Sequence, residues 1–174
     1  SIRAQNDSSI FIGSNNGGSI TSGAANIGIG TGTLTNVSTS SENVAIGAFS
    51  QQAGNAGQNT SLGTYTLSSG SLSGGQNTAI GGAALQQNTT GTENVALGRV
   101  ALYGNFDGSQ NTALGNAALN GNVSGNQNTA VGNGAGLLST GTGNIFLGFN
   151  AGDNLTSGGS NIIIGNNINA VSAT

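Results

Sequence analysis

Acid–base, nucleophilic and metal chemistry depends on a few side-chain types, and this sequence is short of them. Its only charged side chains are Asp7, Glu42, Glu93, Asp107, Asp153, Arg3 and Arg99, and it contains no His, Cys, Met, Pro, Trp or Lys. Without His or Cys there is no imidazole base for a serine triad, no thiolate nucleophile and no soft metal site. The five carboxylates are scattered, and none forms the Asp-rich loop of a calcium site. Two arginines against a net charge of −3 exclude a surface that tracks phosphates. The stretch GIGTGT at Gly28–Thr33 departs from the G-x-G-x-x-G dinucleotide pattern. The chain therefore reads as a non-enzyme with no cofactor, no metal and no nucleic-acid partner.

One stretch gathers the remaining chemistry. RVALYGNFDGSQ, from Arg99 to Gln110, places Arg99, Tyr103, Phe106 and Asp107 close together in sequence. Aromatic rings beside polar groups are what carbohydrate- and protein-binding patches use, so these four residues are the candidate ligand contacts. The plainer expectation is that the ring of Phe106 folds down onto the body of the protein as a plug.

What must position these residues is a repeat. The chain has 174 residues, with 33 Gly and 26 Asn, a bias that by itself would permit disorder. The spacing argues otherwise. The motif N-x-x-[ILV]-G is anchored at Asn26, Asn43, Asn59, Asn77, Asn94, Asn111, Asn128, Asn144 and Asn161, and Ser9 takes the same place in SIFIG. The intervals are 17, 17, 16, 18, 17, 17, 17, 16 and 17, giving ten units in a single domain spanning 1–174.

Each place after the anchor has its own character. The first is β-branched in every unit, the third is aliphatic, and the fourth is always Gly. β-branched residues favour strands, and a period of two puts the first and third places on one face. The glycines, among them Gly47, Gly63, Gly81, Gly98, Gly115, Gly132 and Gly148, then mark a structural corner. The second place holds Ala45, Ser61, Ala79, Ala96, Ala113 and Ala130, with Phe11, Phe146 and Ile163 toward the ends. Small, uncharged residues in register suggest a face pressed against another surface. These six are the candidate packing residues against further copies of the chain, with the first and third places turned into the coil.

A small residue at the seventh place and Leu at the eighth read as a second short strand. Seven units carry Gly three residues before the anchor, from Gly23 and Gly74 through Gly158, where a turn with φ > 0 is expected. Strand, corner, strand and turn every ~17 residues make a parallel β-solenoid. The recurring Asn should stack rung upon rung with its amide bonded to its equivalents. Thr60, Thr78, Thr112 and Thr129 stand in register at the first place, which would suit an ice-binding array were they outward. Their alternation with Val44, Val95 and Ile145 argues instead for an inward face.

ENVAIGAFS, ENVALGRVA and QNTALGNAA resemble the head repeats of YadA-like trimeric autotransporter adhesins and the repeats of phage tail fibres. The likeness covers essentially the whole chain and rests on the N-[VTI]-A-[IL]-G core, although the period here is longer than in the adhesin heads. The resemblance implies a left-handed β-roll assembled as a homotrimer, in an extracellular fibre on a cell surface or virion. It implies a structural or adhesive role that contributes to contact with a target cell, and a glycan or protein of that cell as candidate partner. The ending NIIIGNNINAVSAT resembles the segment that precedes an intramolecular chaperone domain in tail-fibre-like proteins. With no apolar run near ~20 residues, no membrane insertion by this segment is expected. The absence of an initiating Met and of a signal peptide suggests a piece of a longer fibre protein.

Overall fold

The computed structural model describes residues 2–4, 8–18, 21–52 and 54–169. Each anchor is followed by a three-residue strand, because the β-branched and aliphatic places flank a small residue and the Gly ends the run. A short strand β1 (Ile2–Ala4) is followed by β2 (Ile10–Ile12), β3 (Ile27–Ile29), β4 (Val44–Ile46), β5 (Thr60–Leu62) and β6 (Thr78–Ile80). Then come β7 (Val95–Leu97), β8 (Thr112–Leu114), β9 (Thr129–Val131), β10 (Ile145–Leu147) and β11 (Ile162–Ile164). All lie in one sheet in sequence order. From β2 to β11 every pairing is parallel and in register, as in Val95↔Thr112 and Ala96↔Ala113. The expected parallel β-solenoid is the fold. β1 was not anticipated: it runs antiparallel to β2, with Arg3 opposite Phe11, and occupies the sheet edge that the first rung would otherwise leave open.

Which face turns inward corrects the sequence-based expectation. Ala45, Ser61, Ala79, Ala96, Ala113 and Ala130 are each 0% exposed within the single chain, so they line the coil and cannot meet another copy. The first and third places point out instead. The reason is the width of the rung. Opposite the middle of each strand stand the small seventh-place residues and the Leu of the eighth, such as Ala101 and Leu102, also fully buried. A side chain larger than Ala between them would overfill the coil. Phe11 and Phe146 show the same rule from the other side. Where the strand carries Phe the eighth place is Gly, and a Cβ at Gly17 would come within 2.7 Å of the Phe11 ring. One at Gly136 or Gly152 would come within 2.5 or 2.4 Å of the Phe146 ring.

Among the described residues no second strand forms after the corner. Residues 99–104 are a turn, in which the sixth and eighth places take left-handed backbone, with φ of 53° at Val100 and 50° at Leu102. The N–H groups of these two left-handed residues go to opposite neighbouring rungs, while Ala101 N between them turns back to Gly98 O within the rung at 3.3 Å. Val100 donates back to Gly82 O at 3.0 Å and Leu102 forward to Ala118 O at 3.0 Å. The corner glycine is required twice over: Gly115 has φ 142°, and a Cβ there would lie 2.3 Å from the carbonyl oxygen of Gly132. The glycines before the anchor have a different reason from the one expected. Only Gly158 of the seven has positive φ, and the left-handed residue is the one just before the anchor, such as Glu93 or Gln110. Gly74 is required by space, since its Cβ would sit 2.0 Å from Gly91 O.

Two amide ladders run up the inside. In the first, the Oδ1 of most anchors accepts from the next rung twice: Asn94 Oδ1 takes the Asn111 backbone N–H at 3.0 Å and its Nδ2 at 3.1 Å, whereas Asn43 and Asn59 take only the backbone N–H of the next anchor. Asn111 Nδ2 also donates to Gly125 O at 2.8 Å, so the buried amide is satisfied on both sides. The stacking expected of the anchors is thus present. A second ladder was not foreseen. Asn105 Nδ2 donates to Asn88 Oδ1 at 2.8 Å, and Asn122 Nδ2 to Asn105 Oδ1 at 2.9 Å. It ends at Ser139, leaving Asn122 Oδ1 and Ser139 Oγ buried without partners. Between the two apolar clusters of the core lies a polar layer in which Ser50 Oγ meets Ser61 Oγ and Thr66 Oγ1, each at 2.7 Å.

Candidate functional site: an aliphatic strand face and a loop groove

The solenoid presents two surfaces able to recognise something. The first is the outer side of the sheet. Its first-place column reads Ile10, Ile27, Val44, Thr60, Thr78, Val95, Thr112, Thr129, Ile145, Ile162. The third-place column reads Ile12, Ile29, Ile46, Leu62, Ile80, Leu97, Leu114, Val131, Leu147, Ile164. Sixteen of these twenty are aliphatic and none is charged. Exposure at the larger ones is substantial, 46% at Leu97 and 44% at Leu147. At ~4.8 Å per rung and ~7 Å between columns, the strip is ~43 Å long and narrow. Its neighbour column carries the ring pair Phe49–Tyr65, stacked with centroids 5.1 Å apart, which sequence inspection passed over. The four threonines of the first column face outward here, so the ground for setting aside an ice-binding array does not hold. A two-column hydroxyl array is nonetheless not present, because the other column is aliphatic throughout.

The second surface is a groove of about 330 Å³ over the loops, lined by Ser68, Ser69, Gly70, Ser71, Gln86, Gln87, Thr89, Tyr103 and Phe106. Two of the four candidate contacts are thus brought together, while Arg99 and Asp107 lie exposed outside the lining. Phe106 is not a plug: it is 44% exposed, with Tyr103 half-buried beside it. The opposite wall, Ser68–Ser71, belongs to the rung between Asn59 and Asn77, whose 18-residue interval is the longest in the chain. That added residue was the available signal for the groove.

The floor of the groove is held from below. Gln87 N donates to Tyr103 O at 3.1 Å, and the Thr89 N–H and hydroxyl both reach Phe106 O at 2.8 Å. Ser69 Oγ donates to the carbonyl of Asn88, whose side chain is buried in the second ladder. Three exposed glutamines elsewhere are tied up rung to rung, Gln58 to Glu42 at 3.0 Å, Gln110 to Glu93 at 3.1 Å and Gln127 to Gln110 at 3.2 Å, while exposed Gln76 is not. The corner glycines play no part in either surface beyond setting the rungs in register. Among the described residues no group of three or more His, Cys, Asp or Glu could hold a metal ion. Comparisons with protein-family models, with curated protein sequences and with solved structures find no match to this chain.

Proposed function

We propose that this chain is a rigid structural segment of an extracellular homotrimeric fibre, a β-roll whose copies pack through the outer aliphatic strip and which contributes to contact with a target cell. The observation that carries this reading is the strip itself. Apolar patches beyond a few hundred Å² are uncommon on soluble monomers and mark association surfaces. A strip of two columns by ten rungs has a footprint of ~300 Å² by strand and column spacing alone, before the breadth of the side chains and the rings of Phe49 and Tyr65 are added. The absence of charge in both columns suits burial against an identical surface, where a charge would meet its own copy. Three-fold symmetry comes from the resemblance of the repeats to trimeric adhesin heads and tail fibres; the strip alone supports self-association.

The test uses Leu97→Lys with Leu114→Lys, two outward places whose substitution leaves the interior intact. The parent chain should run in light scattering as three times its 16.7 kDa mass. The double variant should run as the monomer with unchanged far-ultraviolet circular dichroism. A monomeric parent would overturn the reading. Association through an aliphatic surface should also persist at molar salt, where charge-driven contacts are screened.

A further inference from the structure

We propose that the groove between Ser68–Ser71 and Tyr103–Phe106 is a binding site for a neutral saccharide, holding one or two pyranose rings of an oligosaccharide. The groove lies on the loops and not on the strand strip, so this inference stands whether or not copies assemble.

Shape, aromatic surface and free polar groups converge on this ligand class. At about 330 Å³ the groove is at the low end of the range of small-ligand sites, and it opens to solvent along one side. Its apolar content is two rings, Tyr103 and Phe106. A pyranose ring has one face of C–H groups that stacks on an aromatic ring and a rim of hydroxyls that needs hydrogen bonds.

Those bonds are on offer. Among the described residues, the side-chain amides of Gln86 and Gln87 and the hydroxyls of Ser71 and Tyr103 make no hydrogen bond within the protein. A primary amide both donates and accepts, which matches the alternation of donor and acceptor along vicinal hydroxyls. Gln58, Gln110 and Gln127 spend their amides in exposed rung-to-rung contacts, and Gln86 and Gln87 are two free amides side by side on one groove wall.

The groove is also uncharged: no Asp, Glu or Arg is among its lining residues. It therefore has nothing with which to prefer a sialylated or sulfated sugar. The backbone beneath it is fixed by hydrogen bonds from Gln87 and Thr89 to Tyr103 and Phe106, so little ordering is needed on binding. Each site alone should bind weakly, in the range of about 0.1–10 mM.

The experiment uses the full chain and a panel of neutral gluco-, galacto- and chito-oligosaccharides, their sialylated and sulfated counterparts, and a peptide library. Saturation-transfer NMR and an immobilised array give the readout. Neutral oligosaccharides should bind, with Tyr103→Ala and Phe106→Ala each weakening binding at least tenfold. Gln87→Ala should weaken it several-fold with an unchanged melting curve, and Gln110→Ala, outside the groove, should have no effect. Four results would overturn the proposal: no binding at about 10 mM, the weak end of single-site affinities; binding that survives the aromatic substitutions; a preference for the anionic sugars; or capture of peptides without sugars.

Discussion

Ser139→Asn should stabilise this protein, and the size of the gain can be worked out from the second ladder. In that ladder Asn105 donates to Asn88 and Asn122 donates to Asn105, at 2.8 and 2.9 Å. The next place is Ser139, and its backbone is already in position: Ser139 N donates to Gly136 O at 3.0 Å, just as Asn122 N donates to Leu119 O at 3.1 Å. Yet the serine is too short to bridge the rung, and both Asn122 Oδ1 and Ser139 Oγ are left buried and unpartnered. A buried polar group without a partner costs about 1–3 kcal/mol, whereas a formed hydrogen bond gives a net ~1 kcal/mol. Asparagine at 139 would supply the donor that Asn122 lacks, and fixing its longer side chain costs up to ~1 kcal/mol. A net gain of ~1–2 kcal/mol remains. For a chain of this length that is a rise in Tm of ~2–8 °C. The check is thermal unfolding of four proteins: parent, Ser139→Asn, Asn122→Ala and the double variant. In the Asn122→Ala background the acceptor is gone, so the gain should vanish. An equal rise in both backgrounds, or no rise in either, would refute the ladder argument.

The corner glycine is the second test. Gly115→Ala puts a Cβ 2.3 Å from Gly132 O at φ 142° and should cost more than ~3 kcal/mol, while Gly82→Ala meets nothing within 4 Å and should leave the urea midpoint nearly unchanged. Ala113→Leu and Leu114→Lys separate the two faces of β8: the first overfills the coil and should abolish folding by circular dichroism, and the second should fold. Gln51→Leu removes a buried Oε1 that has no partner, but it also breaks the hydrogen bonds from Gln51 Nε2 to Asn43 Oδ1 at 2.9 Å and Ala56 O at 3.3 Å. Two lost bonds outweigh one unpartnered oxygen, so the Tm should fall by about 2–4 °C, ~1 kcal/mol at this chain length.

The period of the repeat, the strand and the corner could be read from the sequence because they depend on residue type at a fixed place. Every third-place residue is aliphatic and every fourth is Gly, and both facts translate directly into local conformation. Orientation could not be read that way. Alternation shows that Val95 and Leu97 share a face opposite Ala96, but not which face is inside. The usual expectation, large apolar residues inward, fails because a coil this narrow has room for Leu102 and Ala101 across from Ala96 and nothing larger. The left-handed turn over Val100 and Leu102 was hidden for a related reason: β-branched and aliphatic residues at positive φ go against local preference, and only the rung-to-rung hydrogen bonds hold them there. Of the groove, the aromatic wall was visible as the one rung with Tyr103 and Phe106. Its other wall showed only as one extra residue between Asn59 and Asn77, and the free amides of Gln86 and Gln87 could not be told from the bonded ones elsewhere.

The central claim is that copies of this chain meet across the outer strip. The chain has no cysteine, so a single introduced thiol reports on one place. Thr112→Cys lies in the middle of the strip, and Ser124→Cys lies on an exposed loop. With a short bis-maleimide at micromolar protein, Thr112→Cys should give a covalent dimer within minutes, and Ser124→Cys should give almost none. Equal yields from the two positions, or cross-linking through the loop alone, would contradict the claim.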